Sequence, residues 1–244
     1  MTRHQGHTMS NEDRTALVTG ANSGLGFEAA AQLAEDGWGT VILACRTVEK
    51  AETAQRQLID RTGTDPFAVL AIDTSEVPSA EAAAEELRAR GDTIDFLLLN
   101  AGASGQEASY NSDGVEITYA STLIGHHVLT TRALEYGLLS PHTRIVIAGS
   151  EGARGNMPGM PVHDIGQIAN DSYGGDRAAA IQALARIEAP QQQDKFANMR
   201  EYVTAKLIVA WWAAALSRHL PAGMTVNAVS PGANLSTSFA RDAP

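Results

Sequence analysis

The 244-residue chain is 44% hydrophobic and carries 18 basic against 28 acidic side chains, giving a net charge of −10 at pH 7. That length allows one large domain or two small ones, with a sizeable core. The acidic balance disfavours nucleic acid and anionic membrane surfaces as partners, because both attract a positive face.

Residues 1–13 are polar, lack the apolar core of a signal peptide, and read as a flexible leader that includes His4 and His7. Thr15-Ala16-Leu17-Val18 is a short apolar run expected to form a buried first strand. Next come Thr19-Gly20-Ala21-Asn22-Ser23-Gly24-Leu25-Gly26 and a helix from Phe27, with Ala29, Ala30, Leu33 and Ala34 at helical spacing. Strand, glycine-rich turn and helix opening make an anion cradle. The glycines let a pyrophosphate approach the backbone, and the helix start offers free N–H donors. An ordinary turn is the plain alternative, but this placement points to nucleotide binding.

Residues 41–45 read as strand two and 48–58 as a helix. The single Cys45 excludes an internal disulfide and fits a reducing cytoplasm. Strand three is expected over 67–72, a helix over 79–90, strand four over 94–99, and a longer helix over 114–138. Strand five follows at 144–148, another helix at 201–219 and strand six at 224–229. The apolar stretch 208–216 is too short to span a bilayer and runs into Arg218 and His219. Near-continuous apolar strands separated by helices predict an α/β fold, a doubly wound parallel sheet covered on both faces.

Between 152 and 198 the alternation breaks: Gly, Pro, Asn, Asp and Gln dominate, and only 177–187 looks helical. This stretch leaves a strand's carboxyl end, where doubly wound sheets bind ligands. It is expected to be a mobile substrate lid rather than a second domain, with Met157, Met160 and Ile165 as adaptable apolar lining. A tolerated surface insertion is the alternative.

Tyr202 and Lys206 stand four residues apart on one helix face. A free tyrosine titrates near pH 10, and a lysine charge beside it is expected to lower that pKa toward working pH. Alone, such a pair reads better as two surface side chains that happen to share a helix face. Here Ser150 ends strand five, Asn100-Ala101-Gly102 ends strand four, and Pro231-Gly232 ends strand six, all at the sheet edge that carries the glycine turn. His126 and His127 are adjacent on a helix, cannot face one site together, and read as packed or solvated; no metal site is expected.

Together these motifs resemble the short-chain dehydrogenase/reductase family from Arg14 to Thr237. The resemblance implies a single Rossmann-type domain over 14–244, carrying the 152–198 insertion before the Tyr/Lys helix, and an NAD(P)-dependent oxidoreductase acting on a small-molecule substrate. Tyr202 would exchange a proton with the substrate oxygen, Ser150 would hydrogen-bond it, and Lys206 would hold the nicotinamide ribose and support the tyrosine. Gly20, Asn22, Ser23, Gly24, Leu25 and Gly26 would cradle the phosphates. Asp73, with Thr74, would meet the adenine, and Asn100, Ala101, Gly102, Pro231, Gly232 and Thr237 would line the cofactor. At the end of strand two, Cys45-Arg46 replaces the acidic residue that would select NAD(H), so NADP(H) is expected unless Arg46 only caps the strand.

Three features depart from the simple pattern. Thr122 occupies the position of an Asn on which the family's water relay depends. The long gap from Ser150 to Tyr202, with Ala44-Cys45-Arg46, Glu49-Lys50-Ala51-Glu52 and Gly155-Asn156-Met157-Pro158, resembles the light-dependent protochlorophyllide reductase branch. The chain also ends at Pro244, soon after strand six. The leading expectation is an NADP(H)-dependent reductase of a carbonyl or conjugated double bond in a fairly large apolar substrate. Thr122 and the early end keep a rival, a non-catalytic NADP(H)-binding sensor or scaffold. The resemblance also allows a homo-oligomer.

Overall fold

The computed structural model describes residues 10–192 and 197–232, so Thr237 and most of the expected leader lie outside the described residues. Asn11–Asp13 forms a 3-10 turn capped by Ser10, and the Asn11 carbonyl accepts the Gly39 N–H at 3.0 Å. The strands are β1 (Thr15–Thr19), β2 (Thr40–Cys45), β3 (Phe67–Ala71), β4 (Ile94–Leu99), β5 (Leu139–Ala148) and β6 (Thr225–Val229). The helices are α1 (Gly24–Glu35), α2 (Val48–Thr62), α3 (Val77–Arg90), α4 (Ile117–Tyr119), α5 (Gly125–Glu135), α6 (Ile165–Ser172), α7 (Arg177–Ala185) and α8 (Asn198–Leu216). All strand pairs are parallel, in the order β3-β2-β1-β4-β5-β6. The order reverses between β1 and β4, which opens a crevice beyond their carboxyl ends.

The period-two alternation of the strands feeds two cores. Val18, Val41, Leu43 and Cys45 pack with the alanines of α1 and α2 on one face. Leu17, Ile42, Ala44, Leu97 and Ile145 pack on the other with α3, α5 and α8. Several elements differ from the sequence expectation. The helix expected from residue 79 starts at Val77, because Pro78 suits a first helical turn, where its missing N–H costs nothing. The helix expected over 114–138 begins at Ile117 and passes through a π-helical segment, Ala120–Ile124, before α5. β5 begins at Leu139, opposite Ile94. The register then slips so that Phe96 faces Arg144, and Thr143 Oγ1 donates to the Ile94 carbonyl at 2.7 Å across the irregularity.

The insertion holds more helix than its composition suggested. Asp164 caps α6 by accepting the Gln167 N–H at 2.9 Å. Ile165, Ile168, Ala180 and Leu184 pack against Tyr119, Ala205 and Ile208 in a third apolar cluster. These helices therefore lean on α4 and α8, with no separate core of their own.

Candidate active site

The cradle is built by backbone shape. Gly20 sits at φ +68°, where side chains strain, and its N–H bonds to the Ala44 carbonyl at 2.8 Å. A Cβ on Gly26 would lie 2.4 Å from the Gly20 carbonyl oxygen and 2.6 Å from Asn100 Nδ2, so only glycine lets α1 come so close to the turn. Ser23 stands at the N-cap of α1 without a side-chain capping bond, so the helix's first N–H groups have no side-chain acceptor there, at the cleft that Ser23, Gly24 and Leu25 line. Gly20, Asn22, Ser23, Gly24 and Leu25 line that cleft. Gly26 does not; it is buried beneath Gly20 and Asn100 and supports the cradle from below. A turn free of Cβ atoms over an uncapped helix start suits a dinucleotide pyrophosphate.

Beyond β2 and β3, Arg46, Lys50, Asp73 and Thr74 line one end of the cleft. Arg46 Nε lies 3.4 Å from Asp73 Oδ2, and Asp73 Oδ1 accepts from the Ser75 N–H at 2.9 Å and its hydroxyl at 2.6 Å. The aspartate thus steers the guanidinium. Lys50 was not among the expected cofactor-binding residues, although it follows Arg46 by four positions. Its N–H is held by the Thr47 cap at 3.3 Å.

The turn Asn100-Ala101-Gly102 is pinned to the end of β1. Thr19 Oγ1 accepts the N–H groups of Asn100 (2.8 Å) and Ala101 (3.0 Å), and Asn100 Nδ2 donates to the Thr19 carbonyl at 3.1 Å. Ser121 Oγ accepts the Ala103 N–H at 3.0 Å, so the π segment holds the far side of the turn. Thr122, 2% exposed, lies in that segment and lines the cleft, its Oγ1 facing Gly102.

Ser150, Tyr202 and Lys206 meet where β5 ends against α8. Ser150 caps the 3-10 turn Glu151–Arg154 by accepting the Gly152 N–H at 3.2 Å. Lys206 Nζ donates to the Ala148 carbonyl at 2.6 Å and lies 5.8 Å from the centre of the Tyr202 ring. Burial moves both ionisable groups toward neutrality: the lysine falls to about 8 and the Tyr202 phenol rises above its ordinary value. A hydrogen bond from Ser150 pulls the phenol the other way, less strongly. The expectation that the lysine charge lowers the tyrosine pKa is therefore corrected: in the protein alone, desolvation of the phenol outweighs its neighbours.

The cleft has a volume of about 610 Å³ and reaches Pro231 and Gly232 beyond β6. Met157, Met160 and Met199 line it together with Glu151, whose carboxylate pairs with Arg154 at 2.9 Å. Met199 escaped the sequence reading, though it precedes Tyr202 by three residues on the same helix. Ile165, expected in the lining, is 3% exposed and buried in the third cluster, because the apolar side of α6 turns to α8. Among the described residues no group of His, Cys, Asp and Glu could hold a metal, and no helix is long and apolar enough to cross a membrane.

The sequence pattern of the short chain dehydrogenase family matches residues 14–163. The chain is 30% identical over 221 residues to the short chain dehydrogenase sol3 of Alternaria solani, covering 91% of this chain and 72% of that protein. It is also 30% identical over 175 residues to the chloroplastic protochlorophyllide reductase of Chlamydomonas reinhardtii, covering 68% of this chain and 43% of that one. Across most of the curated relatives it matches, the chain spans about half their length. Salutaridine reductase of Papaver somniferum shares the fold, with a TM-score of 0.69 at 20% identity, over 90% of this chain and 86% of that one. Matched over more than half its length, and by a relative of which it covers nearly three quarters, this chain belongs to the short chain dehydrogenase family.

Proposed function

We propose that the protein is an NADP(H)-dependent oxidoreductase that reduces a carbonyl or conjugated double bond in a fairly large apolar substrate. The observation that carries this reading is the convergence of Ser150, Tyr202 and Lys206 on the cleft that also contains the glycine cradle. A bound nicotinamide dinucleotide would supply the hydride. The chain's own residues handle the oxygen: the Ser150 hydroxyl donates to it, and the Tyr202 phenol, kept protonated by burial, hands it a proton. The Lys206 charge, one helical turn away, offsets the negative charge left on the phenol. The three methionines offer a polarizable apolar wall, and the acidic Glu151 disfavours an anionic substrate. The part of the insertion that would close over substrate is the short strip 151–160, which reaches the cleft, while 163–192 serves as its anchored base. A cofactor-binding sensor or scaffold is the second reading, favoured by Thr122 at the relay position. Absence of turnover across a broad panel of neutral ketones and enones would support it.

Fluorescence titration with NADPH and NADH tests cofactor choice. Arg46 and Lys50 should favour NADPH, and Arg46→Asp should weaken NADPH while improving NADH, since it replaces phosphate attraction with repulsion. Equal affinities in the wild type would contradict this preference.

The pH profile follows from the two shifted groups. Lys206 is cationic below about 8 and neutral above it, and Tyr202 stays protonated throughout that range. The rate of reduction should therefore be level on the acid side and fall as pH rises through about 8. In Lys206→Met the residual rate should lose that falling limb. A wild-type rate that climbs with pH would show that the phenol does not act as the proton donor.

A further inference from the structure

His126 lies on α5, 1% exposed, between two parts of the site that are distant in sequence. Its Nδ1 is 3.1 Å from the Thr122 carbonyl, and its Nε2 is 3.0 Å from Thr19 Oγ1. A carbonyl oxygen can only accept, so Nδ1 carries the hydrogen and Nε2 is the acceptor. The Thr19 hydroxyl has two acceptors in reach, the Leu98 carbonyl at 3.3 Å and Nε2 at 3.0 Å, and the shorter contact assigns its hydrogen to Nε2. That leaves the oxygen's lone pairs for the two N–H groups of Asn100 and Ala101. One unbroken chain of bonds thus runs from the Thr122 carbonyl, through imidazole and hydroxyl, to the turn that lines the cofactor cleft.

The other end of that chain is irregular backbone. Thr122 lies in the π-helical segment, where the ordinary i to i−4 ladder is interrupted, and its carbonyl, with two lone pairs, accepts from the His126 ring. Gly102 sits directly against the Thr122 hydroxyl, so a shift of the π segment displaces the turn as well.

We propose that His126 is a positioning residue: a neutral cross-brace that fixes the Asn100–Gly102 turn against the π segment and so sets dinucleotide affinity without touching the dinucleotide. The inference rests on reading the cleft as a nicotinamide dinucleotide site. Burial holds the imidazole down at about 4, and the nearby Lys206 charge pushes it the same way. The ring is therefore neutral across the working range of pH, as an acceptor at Nε2 must be.

The test is a double-mutant cycle read as the Kd for NADPH. His126→Phe removes both bonds, and Thr19→Val removes the hydroxyl while keeping the side-chain shape. Each should raise Kd about tenfold, the expected cost of leaving buried polar groups of the turn unpaired. Because both act through one chain of bonds, the double variant should bind no more weakly than the weaker single variant. The loss should appear mainly in Kd, with a smaller change in kcat at saturating cofactor, which general destabilisation would not produce. Should His126→Phe fail to fold, His126→Asn serves: it can still donate to the Thr122 carbonyl but cannot reach Thr19, and should show the same rise. Wild-type affinity in these variants, or strictly additive losses, would overturn the brace. Failure of the wild type to bind either NADPH or NADH would instead overturn the functional reading on which it rests.

Discussion

Glu201→Ala should lower the unfolding free energy by about 3 kcal/mol, a fall of roughly 10 °C in Tm for a chain of this size. Glu201 is 1% exposed on α8, next to Tyr202. Its Oε1 accepts from His163 Nε2 at 2.9 Å, and its Oε2 accepts from the Tyr119 hydroxyl and from Gln192 Nε2, both at 2.7 Å. One carboxylate thus ties α4 to both ends of the packed part of the insertion. Burial and the nearby carboxylates hold the Tyr119 phenol well above its ordinary pKa, so it remains a donor. Alanine would orphan three buried donors at once, whereas Glu201→Gln keeps an acceptor and should cost less. The loss should also be local. Hydrogen exchange over 163–192 should accelerate in the alanine variant while β1 to β4 keep their protection. Unchanged stability, or an even rise in exchange across the chain, would show that this cluster does not anchor the insertion.

How much of this was legible in the sequence depended on whether a feature is local. The strands around the crevice were readable because β1 and β2 are buried on both faces and appear as unbroken apolar runs, and β4 is apolar from Phe96 to Leu99 after Asp95. The first half of β5 was not, because Pro141 and His142 interrupt the run where the strand kinks. The Tyr202/Lys206 pair was visible from helical spacing, but spacing carries no information about desolvation, and desolvation decides the direction of both pKa shifts. In the insertion, Asp164 three residues before Gln167 was a readable cap; the glycine and polar residues of α6 masked it. The contact of His126 with Thr19 could not be read at all, since the two lie 107 positions apart. Gly26 was recognised as part of the motif, yet only the packing shows that it supports the cradle from below.

The second large effect concerns the phenol itself. Tyr202→Phe removes the proposed proton donor while leaving the ring, the cradle, Arg46 and Lys50 in place. Loss of a positioned general acid typically costs about 10²- to 10⁴-fold in rate, and turnover should fall by that much. The Kd for NADPH should stay within about twofold, because the proposed dinucleotide contacts at the cradle and the basic pair are left intact. Ser150→Ala should fall between wild type and Tyr202→Phe, since the serine's proposed part is to polarise the oxygen without supplying the proton. The most direct test is a single-turnover mix of enzyme pre-loaded with NADPH and a bulky neutral ketone, following nicotinamide oxidation in wild type and Tyr202→Phe. Stoichiometric oxidation by the wild type, with a phenylalanine variant that binds NADPH but does not react on the same timescale, is the predicted result. A phenylalanine variant that reacts as fast as the wild type would contradict the account.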